Sequence, residues 1–246
     1  MSKDKQKYEL LRILIDNDDS IGSFTISQIL KQRNVNVSPA TIGRLLNEFD
    51  FQGLTVRIGY KGRVLTDFGR EKYLEYKNKV EFEEASSKMY DAVIETDPGT
   101  LIDILVARRG IEREIVSLAA EKATAEDLVE IRKAYEIHSN SAKSRKYGVI
   151  TAENDVTFHR AIARASQNKI LASAYDFIWQ NGKLSPIMEY VRVSVGGTIV
   201  VDHGAILAAI EARDPERAQE MMIRHINSLI TDVDNYRREK EGAKAS

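Results

Sequence analysis

The strongest constraint on the fold is that apolar residues follow helical spacing along most of the chain. Beyond the stop signal Asp97-Pro98-Gly99, the apolar positions recur with a period near 3.6 residues, and no alternation typical of a strand appears. This spacing predicts helices near residues 100–121, 125–145, 149–166, 168–183, 195–213 and 214–239. The second part of the chain is therefore predicted to be an all-α antiparallel helical bundle, and the fold class as a whole is mainly α.

The first part of the chain has a different order of elements. Its spacing predicts helices near residues 6–16, 25–33 and 39–52. Ser38 is a suitable N-cap for the third helix, and Pro39 suits the first helical position because its missing N–H would have no partner there. After Gly53, two short β-branched runs in "LTVRIGYKGRVLT" flank turn residues and predict a hairpin. Three helices followed by a hairpin are the order of a winged helix-turn-helix.

This order predicts a winged helix-turn-helix DNA-binding domain over residues 1–75, a helical linker over 76–98 and a helical effector domain over 99–246. The recognition helix is "PATIGRLLNEF" and the wing is "RIGYKGR". Polar and basic side chains at these two places suit contacts with duplex DNA. The side chains expected to bind DNA are Ser38, Thr41 and Arg44 on the recognition helix and Arg57, Lys61 and Arg63 on the wing.

The charge distribution supports nucleic-acid binding by the first part only. Residues 1–80 contain 14 Lys and Arg against 10 Asp and Glu, a net charge of +4, whereas residues 81–246 contain 22 against 27, a net charge of −5. The alternative is that the basic residues are solvated charges on a helical interaction module. The sequence has no cysteine, no apolar run of membrane-spanning length and no signal segment at its start, so we expect a cytoplasmic protein without a membrane partner and without thiolate metal sites.

A cluster of metal-ligating residues is the main chemical feature. Asp155 and His159 are four residues apart, a spacing that places both on one face of a helix. His203 and His225 lie beside the apolar stripes of two other predicted helices, so three helices bring one carboxylate and three imidazoles to a bundle interior, a donor set suited to Zn²⁺, Ni²⁺ or Mn²⁺. The alternative is a group of hydrogen-bonded core histidines. His138, among small polar residues near a helix end, is expected to be exposed.

Two family resemblances rest on specific motifs. The segment "PATIGRLLNEFDFQGLTVRIGYKGRVLTDFGREKYL" is similar to the winged-helix domain of the ribonuclease R type, over roughly residues 8–74. Residues 86–236 resemble the FCD ligand-binding domain of the FadR subfamily of GntR-type transcription regulators. The motifs that carry this second resemblance are "RRGIEREIVSLAAEKAT", "DVTFHRAIARASQNKIL", "DHGAILAAIEARD" and "AQEMMIRHI".

The FCD resemblance implies that Asp155, His159, His203 and His225 hold a divalent metal with positions left open for a small organic acid. It also implies that Arg108 pairs with a carboxylate of that effector, and it adds Asn168 and Arg192 as further effector contacts. Glu112 is interpreted as structural or as the partner of Arg108, and Asn168 equally as a helix cap. The chain departs from GntR regulators in its N-terminal domain, which lacks their usual winged-helix motif, so operator sequence and base contacts do not transfer.

Together these observations predict a ligand-responsive transcription regulator, a homodimer that binds a palindromic operator, with an affinity set by a metal and a carboxylate effector. One alternative is a metal-dependent hydrolase that uses the Asp/His site to activate water, although no general base or nucleophile stands beside the four ligands. Another is a DNA-binding scaffold whose metal is purely structural.

Overall fold

The computed structural model describes residues 3–17, 19–95, 97–143, 149–179, 187–188, 190–191 and 201–244. The chain divides into two compact units, Met1–Met89 and Tyr90–Ser246. Among the described residues, no helix combines the length and the apolar character needed to cross a bilayer.

The first unit is a winged helix-turn-helix. Its helices are α1 (Lys3–Asp16), α2 (Ser23–Gln32) and α3 (Pro39–Phe51), followed by strands β1 (Thr55–Ile58) and β2 (Gly62–Leu65). The strands pair antiparallel, with Thr55 opposite Leu65 and Ile58 opposite Gly62. The predicted order of elements is confirmed, and each described helix agrees with its predicted bounds to within a few residues.

Local interactions fix the recognition helix and the wing. The side chain of Ser38 accepts a hydrogen bond from the backbone N–H of Thr41, which caps α3 as predicted. Backbone hydrogen bonds join Ile21 to Arg63, so the segment between α1 and α2 lies along the edge of β2. Gly62 has a φ of +130°, and a Cβ atom there would lie 2.3 Å from the backbone of Ile21. Only glycine fits this approach, which holds the wing against the helices.

The helix α4 (Asp67–Ile94) follows the wing directly. The hydroxyl of Thr66 accepts a hydrogen bond from the N–H of Gly69 and caps this helix. Tyr73 stacks on Tyr8 of α1 with ring centres 5.7 Å apart. The start of α4 therefore packs with the winged unit, and the helix includes most of the residues predicted as the linker.

The described part of the second unit is entirely helical. Its helices are α5 (Pro98–Lys122), α6 (Ala125–Lys143), α7 (Val149–Ala165), α8 (Lys169–Trp179), α9 (Val201–Glu211) and α10 (Pro215–Lys244). The prediction of a helical second part is confirmed for these residues. The predicted helix over 214–239 ends too early, because α10 extends to Lys244 despite its polar sequence.

Side-chain caps define where these helices begin. The carboxylate of Asp97 accepts hydrogen bonds from the N–H groups of Gly99 and Thr100 at the start of α5. Thr124 and Asp127 cap α6 reciprocally, since each side chain accepts a hydrogen bond from the backbone N–H of the other. Asp214 caps α10, since its carboxylate accepts a hydrogen bond from the backbone N–H of Arg217.

The helix α5 lies at the centre of the second unit and packs against α7, α8, α9 and α10. Small residues such as Ala119 and Ala120 are fully buried, and larger side chains such as Phe158 and Met221 fill the space around them. The helix α6 packs on α7 and α9. This arrangement brings one face of α7, α9 and α10 to the same interior region.

Candidate metal and effector site

The four predicted metal ligands meet in the interior of the second unit. Asp155 and His159 lie on α7, His203 on α9 and His225 on α10, and one ligand atom of each lies within 4.8 Å of those of the others. The Nε2 atom of His203 is 3.2 Å from the Nε2 atoms of both His159 and His225. It is also 3.3 Å from Oδ1 of Asp155. The i,i+4 pair on α7 thus faces the two other histidines, as the spacing predicted.

Burial and charge at this cluster favour the form that binds metals. The three imidazoles are buried, and burial, together with the neighbouring His225, lowers the pKa of His203 well below its ordinary value. Burial acts on Asp155 in the opposite sense, but the neighbouring histidines outweigh it and hold the pKa of that carboxyl below its usual range. The neutral imidazole of His203 and the ionised carboxylate of Asp155 are in the protonation states that ligate a divalent cation.

The geometry of the cluster fits a metal better than a set of hydrogen bonds. A ring nitrogen of a neutral imidazole either donates or accepts, so Nε2 of His203 cannot bond well to both neighbouring Nε2 atoms at once. A cation placed among the lone pairs removes this conflict. Three imidazole nitrogens and one carboxylate oxygen form a donor set suited to Zn²⁺, Ni²⁺ or Mn²⁺.

Carboxylates lie on the outer side of two of the imidazoles. Oε2 of Glu112 is 2.5 Å from Nδ1 of His159, and Oδ2 of Asp202 is 3.8 Å from Nδ1 of His225. A carboxylate at the shorter of these distances can hold the Nδ1 proton of His159 and direct its Nε2 lone pair toward a metal, whereas 3.8 Å at His225 is longer than a hydrogen bond. The sequence analysis interpreted Glu112 as structural or as the partner of Arg108 and gave Asp202 no role, because neither approach to a histidine is visible within a single helix.

The sequence analysis predicted an exposed side chain for His138, and this prediction is wrong. The ring is completely buried, with Nε2 4.0 Å from Oδ1 of Asp155 and the ring centre 4.9 Å from that of His203. The neighbouring small polar residues were misleading. The useful signal was helical spacing, because Ile131 and Ala134, seven and four residues earlier, are buried on the same face of α6.

Arg108 lies beside this cluster and is 1% exposed. Its Nε–H donates to Oε1 of Glu112 over 2.5 Å, and its guanidinium carbon lies 4.4 Å from the ring centre of Trp179. Burial raises the pKa of Glu112, but the charges of Arg108 and His159 outweigh it and lower that pKa to about 2. Trp179 was not identified from the sequence; it stands one helical turn after the buried Tyr175, at the end of α8.

The other two predicted effector contacts differ in what the structure shows. The side-chain oxygen of Asn168 accepts hydrogen bonds from the N–H groups of Ile170 and Leu171. This oxygen caps α8, which matches the alternative role considered for Asn168. Arg192 lies outside the described residues.

The predicted DNA-binding residues fall into two groups. At the start of α3, the hydroxyl of Thr41 is hydrogen-bonded to the hydroxyl of Ser38 and accepts a hydrogen bond from Nη2 of Arg44. Arg44 is exposed. Arg57 and Lys61 are exposed on the hairpin.

Arg63 is placed differently from the other basic residues of the wing. Its side chain is 11% exposed, with Nε 2.8 Å from Oδ2 of Asp50 and Nη2 2.5 Å from Oδ1 of Asn47. Both partners lie on α3. Arg63 therefore links the wing to the recognition helix through hydrogen bonds.

Comparisons with known proteins identify both parts of the chain. The FCD domain family matches residues 103–228, more than half of the chain, and the ribonuclease R winged-helix domain family matches residues 8–73. The Glc operon transcriptional activator of Escherichia coli (strain K12) is 30% identical over 72% of this chain and 70% of its own length. The Uxu operon transcriptional regulator of the same strain is 29% identical over 56% of this chain, and the match spans 55% of that regulator.

A solved structure shows the same fold. A GntR-family transcriptional regulator from Pseudomonas syringae pv. tomato superposes with a TM-score of 0.50 at 15% identity, over 89% of this chain and 78% of its own. The relatives are named as regulators of transcription, which counts against the metal-dependent hydrolase considered from the sequence. The chain belongs to the GntR family of transcription regulators that carry an FCD domain, and its winged helix is of the ribonuclease R type.

Proposed function

We propose that the chain regulates transcription by binding duplex DNA through its winged helix, and that a divalent metal and a small carboxylate effector in the helical unit set its affinity for DNA. The observation that carries this proposal is the buried cluster of Asp155, His159, His203 and His225, whose ligand atoms lie within 4.8 Å of one another. Polar side chains buried in a bundle core cost free energy unless they are hydrogen-bonded or coordinate a metal, which supports a bound ion at this donor set.

The four side chains hold the metal, and Glu112 keeps the imidazole of His159 oriented toward it. A bound divalent ion supplies positive charge and open coordination positions for a carboxylate oxygen. Asp155 neutralises one of its two charges. The remaining charge favours an anionic ligand over a neutral one.

Arg108 is the proposed second anchor for the effector. Its Nε is already bonded to Glu112, which fixes the plane of the guanidinium. The N–H groups of Nη2 remain to meet an oxygen of the ligand. A preoriented guanidinium loses little side-chain entropy when it binds a carboxylate.

DNA binding is assigned to the exposed polar residues of the first unit. Ser38, Thr41 and Arg44 belong at the major groove, and Arg57 and Lys61 on the wing at phosphates or the minor groove. Two copies of the chain on a palindromic operator match the symmetry of a homodimer. A coupling free energy of about 1–3 kcal/mol between effector and operator is typical for such regulators.

Metal analysis and DNA binding together test the proposal. Protein purified without chelator and without a histidine tag should contain about one divalent ion per chain. His203→Ala should contain almost none. The control Asp103→Asn, which replaces an exposed carboxylate on α5, should have the metal content of the wild type. A duplex selected from a random library by the wild-type protein serves as the DNA probe in fluorescence anisotropy.

Small carboxylic acids should change the affinity of the metal-loaded wild type for that duplex, and they should have no effect on His203→Ala. A wild type that takes up no divalent ion, or a His203→Ala variant that keeps its full metal content, contradicts the proposed site. Sedimentation analysis of the protein with and without the duplex tests the homodimer, and a monomer on the duplex contradicts it.

A further inference from the structure

Two buried hydrogen-bond donors beside the Asp/His cluster have no partner in the part of the chain that the structure describes. Nε1 of Trp179 and Nη2 of Arg108 are both buried and make no hydrogen bond among the described residues. Trp179 as a whole is 7% exposed, so its indole N–H does not reach bulk solvent. Buried donors of this kind are uncommon in folded proteins, and a bound ligand or an ordered water normally satisfies them.

The two donors belong to adjacent groups with fixed positions. The guanidinium carbon of Arg108 is 4.4 Å from the centre of the Trp179 ring. Glu112 holds Arg108 from the other side through Nε. The guanidinium thus stacks against the indole, and both groups present an N–H that is already oriented for an acceptor.

The pair also lies close to the metal cluster. Glu112 bridges the two places, with one oxygen 2.5 Å from Arg108 Nε and the other 2.5 Å from Nδ1 of His159. The ring of Tyr175 also lies near both places, since its centre is 6.4 Å from that of His159 and 6.3 Å from that of Trp179. Glu112 and Tyr175 therefore each lie next to both the Asp/His cluster and the donor pair.

We propose that Nε1 of Trp179 and Nη2 of Arg108 together bind one oxygen-bearing end of the effector, while the Asp/His cluster and its metal bind the other end. This inference rests on the proposed function and narrows the ligand class. The effector is a short acid with two oxygen-bearing ends, a carboxylate at one end and a hydroxyl or a second carboxylate at the other. An acid with a single carboxylate and an apolar remainder satisfies only one of the two places.

The sequence offers a direct probe, because Trp179 is the single tryptophan of the chain. An oxygen that accepts from Nε1 changes the surroundings of this fluorophore, so its emission reports on binding. The ligands are acetate, which has one polar end, and 3-hydroxypropionate, malonate and succinate, which have two. Each is titrated into metal-loaded full-length protein and followed by tryptophan emission and by calorimetry.

We expect at least one two-ended acid to bind the wild type tenfold or more tightly than acetate and to shift the tryptophan emission. Trp179→Phe keeps the aromatic face under Arg108 but removes the N–H. Calorimetry on this variant should show the two-ended acid weakened about tenfold, with the affinity for acetate and the metal content unchanged. Tyr90→Phe is the matched control, because this tyrosine is exposed on α4, and it should keep the preference for the two-ended acid.

Two results overturn the inference and leave the proposed function standing. In one, the two-ended acids bind no more tightly than acetate; in the other, Trp179→Phe keeps the full preference, which means that water alone satisfies the indole N–H. A different result overturns the proposed function itself. In that case no acid binds the metal-loaded wild type, by emission or by calorimetry.

Discussion

Replacing Glu112 by glutamine tests whether this buried carboxylate stabilises the interior of the helical unit. The side chains of Arg108 and Glu112 are each 2% exposed, and their charged atoms are 2.5 Å apart. The pKa of Glu112 falls from its ordinary value of 4.5 to about 2, because the charges of Arg108 and His159 outweigh the effect of burial. Each pKa unit corresponds to about 1.4 kcal/mol, so the ionised carboxylate stabilises the metal-free fold by about 3 kcal/mol.

Glu112→Gln should therefore lower the free energy of unfolding of the metal-free protein by about 3 kcal/mol at neutral pH, which is the size expected when a buried charge loses its partner. Urea denaturation in the presence of a chelator measures this difference. The matched control is Glu114→Gln, an exposed position on the same helix, where the change should stay within about 0.5 kcal/mol.

The pH dependence of the free energy of unfolding tests the same prediction independently. A carboxyl whose pKa is lower in the folded state contributes its full stability above the unfolded pKa of about 4.5 and loses it as the pH falls toward 2. The stabilities of wild type and variant should thus converge over this range. Adding Arg108→Met to Glu112→Gln removes the uncompensated charge and should recover much of the loss. A single variant as stable as the wild type, or a double variant no more stable than the single, refutes the reasoning.

Three further changes test the winged unit and the metal site. Ser38→Ala removes the cap of the recognition helix and should cost about 1 kcal/mol in urea denaturation. Arg44→Ala should weaken DNA binding and lower the slope of log binding constant against log salt concentration by about one, without changing the metal content. Arg63→Ala should also destabilise the first unit, because the side chain of Arg63 holds the wing to α3. Equal stability of the two variants in thermal unfolding contradicts this assignment. His138→Phe keeps the buried volume but removes the ring nitrogen beside Asp155, so metal affinity measured with a competing chelator should fall about tenfold, and an unchanged affinity assigns His138 to packing alone.

The helical spacing of the sequence was sufficient to predict most of the fold and the four proposed ligands. Asp155 and His159 are related by one helical turn, and His203 and His225 stand beside apolar stripes. Local periodicity alone therefore directs the three histidines into the buried interior and places the partly exposed Asp155 beside them. The same rule applied to His138 predicts burial. The expectation of exposure failed because it weighed the polar neighbours in sequence above the position on the helix.

The contacts that sequence reasoning missed all join different helices. The approach of Glu112 to His159, the stacking of Arg108 on Trp179 and the pairing of Arg63 with Asp50 depend on how elements pack. Propensity and periodicity report which face of a helix is buried, but they do not report which residue of a neighbouring helix meets it. Residues with roles of this kind become visible only in three dimensions.

The gathering of all four histidines of the chain in one buried cluster makes isotope labelling unusually selective. Protein grown with ¹⁵N-histidine gives imidazole signals from this interior alone, with no surface ring to obscure them. Their chemical shifts report the tautomer and the metallation of each ring while the operator or an acid is added. A spectroscopist can therefore follow the core of the regulator through its response to DNA without attaching an extrinsic probe or introducing a mutation.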